Sequence, residues 1–121
     1  MFEVQVERTF SAAHHLLNYN GKCERPHGHN WVVRAWARGD RLDEANMFID
    51  YGIMKRELDN ILAQLDHTDL NENPLIGQGI SPSSEFLARL IYQHMKAAIP
   101  EVYKVCIFET PIQCAYYYET E

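Results

Sequence analysis

The chain has 121 residues, 46% of them hydrophobic, and a formal net charge of −6 at pH 7, which predicts one globular domain, 1–121, around a single core. The acidic balance argues against a nucleic-acid binder, no apolar run is long enough to span a bilayer, and an odd cysteine count of three argues against a disulfide framework. No basic start followed by an apolar stretch is present, so neither signal peptide nor membrane association is expected, the predicted location is cytoplasmic, and the predicted partner is a small molecule or another protein.

Residues 2–10 alternate, with Phe2, Val4, Val6 and Phe10 on one side and Glu3, Gln5, Glu7 and Thr9 on the other, predicting a half-buried strand. A loop rich in Asn, Gly and Pro follows at 18–26, and Trp31, Val33, Ala35 and Ala37 then share a face of a second strand over 30–39. If that strand begins early, His27 and His29 point the same way. After a polar turn, Asp50 suits the cap of a helix whose apolar positions are Ile53, Met54, Leu58, Ile61, Leu62 and Leu65, ending near Asp66. The stretch "SPSSE" predicts the start of a second helix, with Ser81 as N-cap, Pro82 at the first helical position and Glu85 in the first turn; its core face is Leu87, Leu90, Ile91, Met95 and Ala98, and Pro100 ends it. Strands over 102–109 and 112–118, joined through "ETP", complete the chain. The order predicts an α+β fold: a four-stranded, mostly antiparallel sheet with two helices on one face. The bare face and the sheet edges predict closure by oligomerisation.

Reactive side chains concentrate in "KCERPHGHNW", residues 22–31. His14, His27 and His29 form a candidate zinc site, since three histidines with an open position are the pattern of catalytic rather than structural zinc. The plain alternative is a polar turn with solvated imidazoles, and His15 competes with His14 because successive strand residues face opposite ways. Cys23 is placed to lie beside the metal, as a thiolate base or a fourth ligand, or is a loop cysteine without a role. Cys106 and Cys114 are expected to pack in the core. In "LDHTDLN", Asp66, His67 and Asp69 form either a proton relay or a plain helix end. His94 reads as a partly buried structural residue, and Tyr116, Tyr117 and Tyr118 as strand packing. Glu109, from its position alone, reads as a solvated strand end; the other reading is a carboxylate that accepts paired N–H donors from a heterocycle.

Together "FSAAH", "CERPHGHN", "IDYGIMK", "LDHTDLN", "SPSSEFLA" and "FET", in order from Phe10 to Glu109, resemble the 6-pyruvoyl-tetrahydropterin synthase superfamily, most of all its 6-carboxytetrahydropterin synthase branch. The resemblance implies the tunnelling fold, with units assembled into barrels as a homohexamer of two trimers. It implies that His14, His27 and His29 bind Zn2+ and that His15 does not. By the same resemblance Cys23 is the catalytic base, His67 its relay partner supported by Asp66, and Glu109 the anchor of the pterin ring. The implied activity is that of a carbon-carbon lyase. It converts 7,8-dihydroneopterin triphosphate to 6-carboxy-5,6,7,8-tetrahydropterin, acetaldehyde and triphosphate, on the path to queuosine and other 7-deazapurines, with Lys22 and Arg25 as candidates for the triphosphate.

Glu24 makes the same loop fit Glu-x-x-His-Gly-His, the element of a related branch that forms 6-hydroxymethyl-dihydropterin for folate. The mixed Cys-Glu-x-x-His-Gly-His pattern is associated with proteins serving both pathways. Ser83 stands where relatives often carry threonine beside the pterin pocket. Two rival readings remain: a pyruvoyl-forming synthase that eliminates triphosphate without cleaving the side chain, and a zinc-binding module without catalysis. The proton-relay residues speak against the second.

Overall fold

The computed structural model describes residues 1–18 and 25–120. Cys23 and Glu24 lie outside the described residues, as does Lys22. Strand β1 (Phe2–His14) pairs antiparallel with β2 (His27–Gly39), and Val6, Phe10, Ala12, Trp31, Val33, Ala35 and Ala37 are buried at alternate positions. Helix α1 (Tyr51–Ala63) is capped by Asp50, whose carboxylate accepts from the Gly52 amide at 2.7 Å. Its buried residues, Met54, Leu58, Ile61 and Leu62, follow helical spacing, while Ile53 turns outward at 45% exposure. The helix ends before the expected limit at Asp66, and Leu65 is still fully buried in the turns beyond.

Strand β3 (Thr68–Asp69) was not expected: two residues pair in parallel with Ala12 and Ala13, and a 3-10 turn over Leu70–Glu72 follows. A pair so short carries no period in the sequence, so only its long-range partner reveals it. Helix α2 (Ser84–Ala98) starts later than predicted. Ser83, not Ser81, is its N-cap, accepting from the Phe86 amide at 3.1 Å, while the Ser81 hydroxyl accepts from the Leu17 amide. Ile99, extended at φ −134°, closes the helix ahead of Pro100, as the residue before a proline tends to do.

Strand β4 (Val102–Thr110) pairs with β2 and with β5 (Gln113–Tyr118), so the sheet order is β3-β1-β2-β4-β5, five strands rather than the four expected. All pairs are antiparallel except β1 with β3. Helix α1 packs over β1 and α2 over β4 and β5, on the same face. His94 of α2 lies 3.5 Å from Glu57 of α1, partly buried. Among the described residues, no helix is long and apolar enough to cross a membrane.

The other face of the sheet carries Trp36, Lys104 and Tyr116, with the Lys104 ammonium 4.5 Å from the Trp36 ring. Cys106 is fully buried, as expected, at the strand position paired with Arg34; burial pushes its thiol up to about 11. Cys114 is exposed, against the expectation of core packing, because its alternation puts it on the bare face. The same alternation sorts the tyrosines: Tyr117 packs edge-on against Tyr92, while Tyr116 and Tyr118 are 49% and 58% exposed.

Candidate metal centre

The site follows from register. β2 begins at His27, so His27 and His29 share a face, and His14 pairs directly opposite His27. All three imidazoles therefore gather where the helix-covered face of β1 and β2 reaches its open end. Their ring centroids lie 4.5 Å (His14–His27), 5.2 Å (His14–His29) and 4.8 Å (His27–His29) apart. Trp31, fully buried, forms the floor under two of them, edge-on to His14 at 4.8 Å and to His29 at 5.1 Å.

Backbone carbonyls set the tautomers. His14 Nδ1 donates to the Pro82 carbonyl at 2.8 Å and His27 Nδ1 to the Arg25 carbonyl at 2.7 Å. A ring whose only proton sits on Nδ1 turns the lone pair of Nε2 into the cluster, the arrangement that metal-binding histidines adopt. His29 is held below its ordinary pKa of 6.5, chiefly by burial and against the upward pull of Glu109, which favours its neutral form. Its Nε2 is buried and has no aligned hydrogen-bond partner. The Glu109 oxygen sits only 2.8 Å away, but off the direction in which a ring N–H would point.

Glu109 is not the solvated strand end that its position suggested: its carboxylate lies on the histidines, with Oε1 3.1 Å from His14 Nε2 and 3.8 Å from His27 Nε2. Alternation along β4 puts Glu109 on the face of Val105 and Ile107, the face that Val33 and Ala35 share on β2, while the β4–β5 ladder is irregular between Phe108 and Thr110. Nothing in the sequence marks the irregularity beyond the "ETP" turn that follows it. The ligand atoms of His14, His27, His29 and Glu109 all lie within 4.8 Å of one another. Three imidazole lone pairs, one of them orphaned by burial, and a carboxylate oxygen form a donor set that fits a divalent cation such as zinc.

Asp66 and His67 form a second unit. Asp66 Oδ1 accepts from the Ser11 amide at 2.9 Å, and Oδ2 lies 2.9 Å from His67 Nδ1. His67 has a left-handed backbone, φ 58°, and is 83% exposed; its own amide donates to the Ser11 carbonyl at 2.6 Å. His67 and His29 line one cleft of about 380 Å³, together with Ser11, Ala13, Gly28 and Thr68. His15 stands apart from the cluster, its amide donating to Asn71 Oδ1 at 2.9 Å. Asp69 stays out as well, capping the 3-10 turn through the Asn71 amide.

The Ser11 amide is the leading cause that holds Asp66 below its ordinary value of 3.8. A depressed carboxylate contributes stability that is present above the unfolded value and is lost as the pH falls through the folded one. Asp66→Asn is therefore expected to lower Tm at neutral pH, and the gap from the native chain should close as the pH drops below 3.8. A gap independent of pH, in thermal melts across the acid range, would assign Asp66 no role as a charge.

The sequence profile described as 6-pyruvoyl tetrahydropterin synthase matches residues 3–120. The chain belongs to this family. It is 35% identical to the 6-carboxy-5,6,7,8-tetrahydropterin synthase of Synechocystis sp., covering 98% of this chain and 94% of that one. It is 29% identical to the protein of the same name from Bacillus subtilis, over 95% of this chain and 84% of that one. Among solved structures, the 6-pyruvoyl tetrahydropterin synthase of Caenorhabditis elegans superposes with a TM-score of 0.83 at 29% identity, covering 99% of this chain and 98% of that one. Two family branches are thus represented among the similar proteins, and the carboxy branch supplies the two curated relatives just described.

Proposed function

We propose that the chain, acting as one domain in the cytoplasm, is a zinc-dependent 6-carboxy-5,6,7,8-tetrahydropterin synthase. In this reading it is a lyase that turns 7,8-dihydroneopterin triphosphate into 6-carboxytetrahydropterin, acetaldehyde and triphosphate for 7-deazapurine synthesis. The observation that carries the reading is the convergence of His14, His27 and His29 with their Nδ1 atoms tied to backbone carbonyls. Such a site is preorganised to take up a cation without rearranging its ligands. Zinc bound there supplies stabilisation of negative charge developing on the substrate's side-chain oxygens.

The remaining roles fall to the chain's own groups. Cys23, four residues before His27, is the base that takes the side-chain proton. His67, on the cleft it shares with His29, passes that proton on, and Asp66 orients the imidazole through its 2.9 Å contact at Nδ1. Glu109 receives the donor edge of the pterin ring, which fixes the side chain above the histidines. The bare sheet face, with Trp36 and Tyr116, is closed by a homohexamer of two trimers.

A second reading rests on Glu24, which gives the loop a second acid-base residue and the element associated with 6-hydroxymethyl-dihydropterin formation for folate. The zinc-loaded protein incubated with 7,8-dihydroneopterin triphosphate is expected to yield the 6-carboxy product by mass spectrometry. Cys23→Ala should lose at least ~100-fold in rate, the usual scale of a missing acid-base group. Glu24→Ala should lose only the hydroxymethyl product. A pyruvoyl product, or full activity in Cys23→Ala, overturns the mechanism.

A further inference from the structure

The parallel contact of β3 with β1 reaches past its two paired residues, because side chains extend it at both ends. Ahead of Ala12 and Ala13, the Ser11 amide donates to Asp66 Oδ1 at 2.9 Å and the Ser11 carbonyl accepts from the His67 amide at 2.6 Å. Beyond them stands Asn71, the residue that would face His15 if the register of β3 on β1 continued. Its carboxamide takes the place of a strand there: Oδ1 accepts from the His15 amide at 2.9 Å, and Nδ2 donates to the His15 carbonyl at 3.0 Å. A carboxamide carries both the donor and the acceptor of a peptide unit, so one side chain satisfies both main-chain groups of a strand residue.

Asn71 is itself held. Its amide donates to Asp69 Oδ1 at 3.0 Å and the preceding Leu70 is fully buried, so the 3-10 turn presents the carboxamide to β1 from a fixed base. Between the two ends lies His67, with its left-handed backbone at φ 58° and a side chain 83% exposed. Left-handed backbone is unfavourable for a residue with a Cβ and persists only where the surroundings impose it. An imidazole so exposed packs too little to impose it, which leaves the ties on either side.

We infer that Asn71 is a positioning residue for His67. By clamping His15 it locks the chain from Asp66 to Asn71 against β1 and keeps the His67 imidazole on the cleft it shares with His29. The inference rests on the proton relay proposed above.

The test pairs Asn71→Ala with His67→Ala in the zinc-loaded full chain supplied with 7,8-dihydroneopterin triphosphate. Asn71→Ala is expected to lower kcat by roughly 10–100-fold, the scale of a catalytic group displaced by about an ångström, with KM within about twofold of the native value. Zinc affinity should stay native. Added to His67→Ala, the same change should cost little more, because a residue that acts through His67 then has nothing to position. Amide exchange of the peptide Asp66–Thr68, read by mass spectrometry, should quicken about 10-fold on loss of the two hydrogen bonds. Asn71→Asp keeps the acceptor and loses the donor, so it should fall between, and it serves if the alanine variant does not fold. Ser81→Ala frees the Leu17 amide on the chain leaving β1 but touches nothing in 66–71, and should leave that exchange unchanged. Native kcat in Asn71→Ala, losses that add in the double variant, or exchange that Ser81→Ala quickens equally would each overturn the inference. Zinc affinity that falls with kcat overturns it too, by placing the effect at His14. If the native chain turns over no substrate, the functional reading falls and the relay role of Asn71 with it; unchanged exchange in Asn71→Ala removes the clamp whatever the activity.

Discussion

Replacing His27 with alanine is expected to remove tight metal binding while leaving the fold nearly intact, whereas His14→Ala should lose tight metal binding and destabilise the fold as well. The two rings pair across β1 and β2 and point at the same centre, so each should contribute one donor of three imidazoles. Loss of either should cost more than ~100-fold in metal affinity, beyond the 10–100-fold that follows from disturbing an outer partner. Burial separates them. The His14 side chain is 2% exposed and satisfies the carbonyl of the buried Pro82; the His27 side chain is 29% exposed and bonds the carbonyl of the exposed Arg25. Truncating His14 leaves a buried acceptor without its donor, a loss of about 1–3 kcal/mol besides the cavity. Truncating His27 exposes its acceptor to water and should change the stability of the metal-free chain by less than about 1 kcal/mol.

The discriminating measurement is Tm with and without zinc. A ligand that binds only the folded chain stabilises it by about 2.7 kcal/mol at a hundred times its Kd. The native chain should show that rise, and neither variant should. Zinc raising the Tm of His27→Ala as much as that of the native chain would remove His27 from the ligand set. Rate should follow metal, since the charge stabilisation that a bound cation supplies has no substitute among the neighbouring side chains.

Alternation was enough to find β1 and β2 and to place His27 beside His29, because a half-buried strand repeats every two residues whatever it pairs with. Helical spacing found α1 and α2 for the same reason, and Asp50 marked the first cap. Where several candidates of one kind stood together, local pattern failed. "SPSS" offers three serines, and the choice of Ser83 depends on Ser81 being needed by Leu17 and the Pro82 carbonyl by His14, both tertiary demands. Cys114 was misplaced because an apolar neighbourhood does not say which sheet face the helices cover. The carboxylate of Glu109 was legible as a functional group but not as a neighbour of the histidines. Alternation along β4 gives its face, shared with Val105 and Ile107, but its meeting with the histidines depends on the pairing of β4 with β2, which no local pattern states. The meeting of His14 with His27 lies between these cases: the motif "FSAAH" resembled a family element, but the pairing itself requires the thirteen-residue register of β1 on β2.

Trp31 joins the core to the metal site, and Trp31→Ala is expected to be the most destabilising single change among these residues. The side chain is fully buried, stacks on Phe10 with rings 5.9 Å apart and 7° from parallel, and donates through Nε1 to the Ala12 carbonyl at 3.2 Å. Its removal leaves a large cavity under β1 and β2 and an unpaired strand carbonyl, with an expected loss of about 3–5 kcal/mol. That is a sizeable part of the ~5–15 kcal/mol that holds an ordinary domain together. Trp31→Phe keeps most of the apolar volume and loses only the donor, so about 1–3 kcal/mol should go. Metal affinity reports the second role. The His14 and His29 rings rest edge-on against the indole, which limits the angles their Nε2 atoms can take. The alanine variant should therefore bind zinc more weakly, by roughly the 10–100-fold of a lost supporting contact, while the phenylalanine variant stays near the native value. Denaturant unfolding and chelator competition on the same samples separate the two effects. If Trp31→Ala is destabilised as expected but binds zinc with native affinity, the indole is core alone, and the ligand rings are held by their backbone carbonyls.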